Sequence, residues 1–178
     1  IPSDVGGEEY PGNSIPYIPV REHKSAADPD EVRELIKVMM KAESPCINAG
    51  QGVLYAEATD ELVEFAELTN IPVMTTLAGK SAFPENHPLA LGTGSNSATL
   101  MVDHYLKKTD FVLGMGTSLT LSTFNAPLPS GITIAHSTNC AEDVNKDYRV
   151  PLGAIGDSKI VLKQMIQEVK ALKLLTRH

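Results

Sequence analysis

Three short stretches concentrate the residues able to contact a ligand. They are Gly50-Gln51-Gly52, Thr75-Thr76-Leu77-Ala78-Gly79-Lys80 and Gly114-Met115-Gly116-Thr117-Ser118. Glycine lets a backbone pass close to a bound molecule and turn N–H groups toward it. The hydroxyls of Thr76, Thr117 and Ser118 can bond ribose or phosphate, and helix starts beside such loops favour anions. Together they read as a cradle for a nucleotide-shaped molecule. The fingerprint is incomplete, because Gly50-Gln51-Gly52 lacks the third glycine of G-x-G-x-x-G and no acid follows about twenty residues on at a strand end. Tight strand ends also require such glycines, so each loop alone fits a ligand reading and a purely structural one equally.

Side chains that could break bonds are sparse. His87, between Asn86 and Pro88, has no cysteine or acid at metal-ligand spacing. His104 sits beside Asp103 on an expected helix surface, and His136 ends an expected strand, where a buried, hydrogen-bonded role fits. Lys80 could reach a phosphate, and a solvated loop lysine fits as well. Ser118 lacks the G-x-S-x-G turn of hydrolase nucleophiles. Cys46, near a strand start, reads as inert. Glu8-Glu9 and Asp30-Glu31 read as a solvated arm and a helix start. The expected numbers of catalytic residues and of metal ligands are both zero.

The elements that hold these loops follow from periodicity and punctuation. Residues 1–27 read as an irregular arm or interdomain linker, with Pro2, Pro11, Pro16 and Pro19 opposing any helix. A helix then opens at "DPDEVRELIKVMM", with Asp28 as N-cap, Pro29 in the first turn and Glu31 placed as in a capping box. Val32, Leu35, Ile36, Met39 and Met40 form its apolar stripe. A strand is expected over Pro45 to Gly50, and a helix from near Thr59, burying Ala58, Leu62, Phe65 and Ala66. A second strand is expected over Ile71 to Leu77, followed by a loop over Gly79 to Gly94. The helix in "SNSATLMVDHYLKKT" presents Ala98, Met101, Val102 and Tyr105 on one face. Strands follow at Asp110 to Gly116, at Gly131 to Ser137 and in "RVPLGAIG". A last helix, begun by Asp157, buries Leu162, Met165, Ile166, Val169 and Leu172. Wholly apolar strands alternating with helices imply a mainly parallel sheet covered on both faces. The expected fold is a three-layer α/β/α, Rossmann-like domain over residues 28–178, with about six strands. Its strand-to-helix loops share one edge, where ligands bind in such folds.

Composition narrows the partners. The 178 residues suit one domain, the net charge is −7, aromatics make up 5% and Trp is absent. Nucleic acid is not an expected partner, since a phosphate backbone requires a basic footprint. The two cysteines, Cys46 and Cys140, are far apart and form no framework, which fits a reducing cytoplasm. No apolar run approaches the ~18 residues of a membrane span, and no leader is visible. A start at Ile1 suggests a piece of something longer.

The order of motifs is more specific than any one of them. "SPCINAGQGV", "ELVEFAELTNIPVMTTLAGKSAFPENHPLALGTG", "TDFVLGMGTSL" and "AEDVNKDYRVPLGAIGDSKIVL" together resemble the central domain of thiamine diphosphate-dependent enzymes. That superfamily includes acetolactate synthase, pyruvate oxidase, benzoylformate decarboxylase and oxalyl-CoA decarboxylase. The resemblance runs from about Pro45 to the last helix, and "IPSDV" resembles the end of a preceding pyrimidine-binding domain. It implies a DHS-like NAD/FAD-binding type of fold. It also implies that thiamine diphosphate and Mg2+ belong to flanking pyrimidine- and diphosphate-binding domains, in a homo-oligomeric lyase or transferase. Gly79 to Gly94 then becomes a clasp or scaffold loop near any bound nucleotide, and Gly156-Asp157-Ser158 a turn that opens the final helix, distinct from a metal-binding GDG motif.

In relatives of this kind the central domain binds FAD, or ADP and part of CoA, or nothing. Matching contact positions are Gly50, Gln51, Gly52, Thr76, Leu77, Gly94, Gly116, Thr117 and Asp157, with Ser118 adjoining. Acetolactate synthases carry an arginine and acids after the later glycine loop, where this chain has Ser118-Leu119-Thr120. Their "HIDID" strand end appears as His136-Ser137-Thr138-Asn139-Cys140. Without that acid and arginine, charge-assisted contacts are lost. Tightly held FAD is therefore not expected, leaving ADP or CoA binding and a vestigial cradle as alternatives. The competing class is a free-standing nucleotide-binding module, of the NAD-dependent deacylase or electron-transfer flavoprotein type. Two distant cysteines do not supply the zinc module usual in the deacylases.

Overall fold

The computed structural model describes residues 3–9, 12, 17–20, 23–96 and 98–172. The first element, α1 (Ser3–Gly6), is a single turn. The expected proline-broken arm therefore needs correction here, for no proline falls within those four positions. Of that arm, residues 1, 2, 10, 11, 13–16, 21 and 22 lie outside the described residues.

Asp28 starts α2 (Pro29–Met39), its carboxylate accepting the Asp30 N–H at 2.8 Å. The helix buries Val32, Leu35, Ile36 and Met39, each worth about 1.5–3 kcal/mol against exposure. Then come β1 (Pro45–Ala49), the one-turn α3 (Gln51–Tyr55) and α4 (Thr59–Thr69), which ends on Asn70 in the left-handed conformation. The chain continues through β2 (Val73–Thr75), β3 (Ala90–Thr93), α5 (Leu100–Leu106), β4 (Phe111–Met115), β5 (Thr133–Thr138) and β6 (Leu152–Ile155). It closes with α6 (Ser158–Ala171), where Asp157 accepts the N–H groups of Lys159 and Ile160.

All six strands pair in parallel, in the order β3-β2-β1-β4-β5-β6. The period-2 alternation of a strand sorts their side chains. Ile47, Phe111, Leu113 and Ala135 join the core shared with α2, α4 and α6. Cys46, Met74 and Val112 join a second cluster with Val102 and Leu106 of α5. Leu119, Ile134 and Val150 form a third. The second face is thus covered by one short helix plus irregular chain, so the layers are unequal.

Three local expectations need correction. Gly79 to Gly94 is not one loop, because its end forms edge strand β3, kinked at Gly92 with φ +100° where the register shifts. The third helix begins only after Thr99, whose hydroxyl oxygen accepts the Val102 N–H and donates to the Leu91 carbonyl. Met101, expected on its buried face, is 57% exposed. The end of the arm is also stitched to the domain. Ala27 exchanges two hydrogen bonds with Gln164, and Ser25 accepts the Asp157 N–H at 2.9 Å.

Candidate functional site at the carboxyl edge of the sheet

The order in which strands are added reverses between β1 and β4, from which successive strands are laid outward in both directions. At such a switch point the loops diverge and leave a crevice at the carboxyl ends of the strands. A cleft of about 610 Å³ lies there. Gln51 and Gly52 reach it from the β1 end, Thr76 and Leu77 from β2, and Gly116, Thr117 and Ser118 from β4. Seven of the expected positions therefore meet in one hollow. Asp157 lies with Gly52 and Gly116 along an adjoining hollow of about 100 Å³. Gly94 borders a small recess of about 20 Å³, shared with Thr76 and Thr117. Gly50 lines none of these.

The glycines answer first to the packing of the turns. A Cβ on Gly50 would stand 2.6 Å from the Thr117 Cα, and one on Gly79 2.8 Å from the Gly50 carbonyl carbon. Gly116 has φ +60°, and a Cβ there would meet the Val53 nitrogen at 2.7 Å. The expected row of ligand-facing amides is corrected too. Gly50 donates to Met115, Gly52 to Gly116, Thr76 to Ala49, Gly94 to Thr75 and Gly116 to Ser137, at 2.8–2.9 Å. Those bonds extend the parallel ladder past the strand ends, so these N–H groups already have partners.

Side chains offer more. Thr76 Oγ1 accepts the Gly79 N–H at 3.0 Å and Thr117 Oγ1 the Leu119 N–H at 3.2 Å, and both hydroxyls keep a proton to donate. Ser118 is exposed and its oxygen accepts from Thr120. Beneath them lies His136, fully buried in β5, whose Nε2 donates to the Thr117 carbonyl at 2.6 Å. That bond fixes the tautomer, leaving Nδ1 buried without a partner among the described residues. Burial pushes the His136 pKa below 6.5, opposed by the Thr117 bond and by the field of Asp143.

Sequence reasoning missed Tyr55, Phe124, Asn125 and Asp143 as lining residues, and met Thr138 and Asn139 only as the counterparts of acids at a strand end. Tyr55 comes from the unforeseen turn α3, and Phe124 and Asn125 from the long β4–β5 connection. Thr138, Asn139 and Asp143 stand at or beyond the end of β5. The available signal was the rule that ligands meet residues just past strand ends, which "TNCAED" satisfies.

The other candidates stand away from the cleft. His87 Nδ1 accepts the Leu89 N–H, its Nε2 meets Glu67 at 3.1 Å, and its ring packs edge-on against Phe83. It pins the Gly79 to Gly94 stretch to α4. Lys80 pairs with Glu85 at 3.5 Å, and His104 is exposed. Burial pushes the Cys46 thiol up to about 12. The Cys140 thiol is raised chiefly by its hydrogen bond to Glu142. Among the described residues no group of three or more His, Cys, Asp or Glu could hold a metal ion, and the Asp157 carboxylate is engaged as a helix cap. No described helix is long and apolar enough to cross a membrane.

Strand order and cleft define a doubly wound α/β domain with a crevice at the switch point. The family model described as thiamine pyrophosphate enzyme, central domain, matches residues 32–165, and the chain belongs to that family. It is 34% identical over 144 residues to the probable acetolactate synthase large subunit of Methanococcus aeolicus, covering 79% of this chain and 24% of that protein. It is 33% identical over 177 residues to the 3D-(3,5/4)-trihydroxycyclohexane-1,2-dione hydrolase of Clostridium perfringens, covering 93% and 26%. The crystal structure of benzoylformate decarboxylase from Polynucleobacter necessarius superposes with TM-score 0.68 at 22% identity, covering 87% of this chain and 30% of that one. At that identity the likeness shows the fold. The chain spans about a quarter of the length of these two curated relatives.

Proposed function

We propose that this chain is the non-catalytic middle of a thiamine diphosphate- and Mg2+-dependent enzyme of the acetolactate synthase or 2-oxo acid decarboxylase kind. Its role is to hold flanking pyrimidine- and diphosphate-binding domains in a cytoplasmic homo-oligomeric lyase or transferase. The observation that carries this reading is the match over residues 32–165 in a chain that spans about a quarter of its relatives.

The switch-point cleft is a ligand site in this reading. Gln51, Thr76, Leu77, Thr117 and Ser118 contact the ligand, Asp157 and Gly94 border it, and the glycines shape the wall. An ADP- or CoA-type ligand is preferred to tightly held FAD, because Ser118-Leu119-Thr120 and Thr138 stand where acetolactate synthases carry an arginine and acids. Purification of the parent enzyme tests both halves. Release of CO2 from a 2-oxo acid that depends on added thiamine diphosphate and Mg2+, by a colourless protein, is the expected result. Stoichiometric bound flavin would overturn the choice of ligand, and lack of any thiamine diphosphate dependence would overturn the role.

A further inference from the structure

We infer that residues 25–27 form a latch, which opens as a unit before the domain unfolds and, in opening, frees the Asp157 turn beside the cleft. The latch is closed by an uncommon contact. One side chain, the amide of Gln164 on α6, satisfies both backbone groups of Ala27. It accepts the Ala27 N–H at 3.0 Å and donates to the Ala27 carbonyl at 2.9 Å. A neighbouring strand would ordinarily supply such partners. Ser25 adds a carbonyl that accepts the Asp157 N–H at 2.9 Å. Gly156 leaves room for the crossing, since a Cβ there would stand 2.9 Å from the Ser25 carbonyl oxygen and 3.0 Å from the Ala27 nitrogen.

The two sides of this contact are held very differently. Residues 4–9, 12, 17–20 and 23–26 are exposed, so among the described residues only the Ala27 methyl group carries the arm into the core. On the domain side, Val161, Leu162, Met165 and Val169 are fully buried and fix α6. Opening the latch breaks three hydrogen bonds and bares one methyl group, whereas opening the sheet bares Ile47, Phe111 and Leu113. Segments with so few buried contacts open at lower free energy than the core. Asp157 then loses the acceptor of its N–H while its carboxylate still caps α6. The same residue lines the hollow of about 100 Å³ with Gly52, Gly116 and Thr138. A displacement of the arm therefore reaches the cleft wall through one hydrogen bond, from Asp157 to Ser25. The latch does not depend on what the cleft holds.

The test is amide hydrogen exchange of the 178-residue chain, read by NMR at low urea concentrations. In the unaltered chain the Ala27 and Asp157 amides should exchange at one shared opening free energy, below that of Ile47 and Leu113. Their exchange should barely respond to urea, because opening the latch exposes little surface. Gln164→Met keeps the length of the side chain and removes both of its hydrogen bonds to Ala27. It should speed exchange at Ala27 and at Asp157 alike, by about tenfold for the two lost bonds. Trypsin cleavage between Lys24 and Ser25, which follows the open population, should rise by the same factor. If Ala27 and Asp157 exchange in the unaltered chain only together with Ile47 and Leu113, there is no separate opening and the latch is refuted. If Gln164→Met speeds Ala27 but leaves Asp157 at its former rate, the arm is not coupled to the turn and the inference falls. An unchanged Ala27 rate in the variant would remove Gln164 as the clasp. Should the variant fail to fold by circular dichroism, exchange in the unaltered chain still decides whether the latch opens separately.

Discussion

The backbones of Gly50 and Gly116 lie in direct contact across the switch point. Gly50 donates its N–H to the Met115 carbonyl at 2.9 Å, and Gly52 likewise donates to the Gly116 carbonyl at 2.8 Å. The β1 and β4 turns are thereby locked together at the bottom of the cleft. Any side chain at position 50 must push them apart, because its Cβ would stand 2.6 Å from the Thr117 Cα. Gly50→Ala is expected to lower stability by about 1–3 kcal/mol or more. Urea unfolding measures it; a loss under about 0.5 kcal/mol, the ordinary scatter of surface changes, would show the contact to be soft.

Asp157 is a second anchor of the same edge. Its carboxylate accepts two N–H groups at the start of α6. Asp157→Ala should cost about 1 kcal/mol and Asp157→Asn much less, since asparagine caps nearly as well. Thermal denaturation of both variants checks the order. Equal losses would assign the effect to something other than capping.

His136 makes stability depend on pH in a definite direction. Its folded pKa lies below 6.5, so the unfolded chain takes up a proton first as pH falls. Stability from this group is therefore complete above about 6.5, declines as pH drops from there toward the lowered folded value, and levels off below it. His136→Gln, which can still donate to the Thr117 carbonyl, should flatten that part of the curve. Chemical unfolding between neutral and mildly acidic pH reads the slope, and an unchanged slope in the variant would exclude His136 as its source.

The two thiols should differ in access even though both resist ionisation. Cys46 is fully buried with a pKa near 12, while Cys140 is partly exposed beside Glu142. Iodoacetamide at about pH 8 is expected to label Cys140 slowly and Cys46 only after denaturation, because the thiolate is the reactive form. Mass spectrometry of the folded protein would contradict this by finding Cys46 modified first.

Much of this architecture was legible because its signals are local. Asp28 and Asp157 announce helices through side chains that satisfy N–H groups within three residues. The stripe Val32, Leu35, Ile36, Met39 repeats at helical spacing and is buried as a unit. Strand β3 was not legible, since Ala90–Thr93 is short, contains Gly92 and gains its identity only by pairing with β2. The same limit applies to the cleft. Threonines and glycines at strand ends could be read, but whether a glycine amide faces a ligand depends on a neighbouring strand. For Gly52 and Gly116 it faces the protein. Tyr55 and Phe124 reach the cleft from segments without periodicity, so tertiary placement alone reveals them.

The most direct measurement is turnover by the 178-residue chain itself. Supplied with thiamine diphosphate, Mg2+ and pyruvate, it should release no CO2 above the protein-free blank and bind no thiamine diphosphate in the calorimeter. Stoichiometric binding of that cofactor, or pyruvate consumption that tracks protein concentration, would contradict a purely supporting role for this polypeptide.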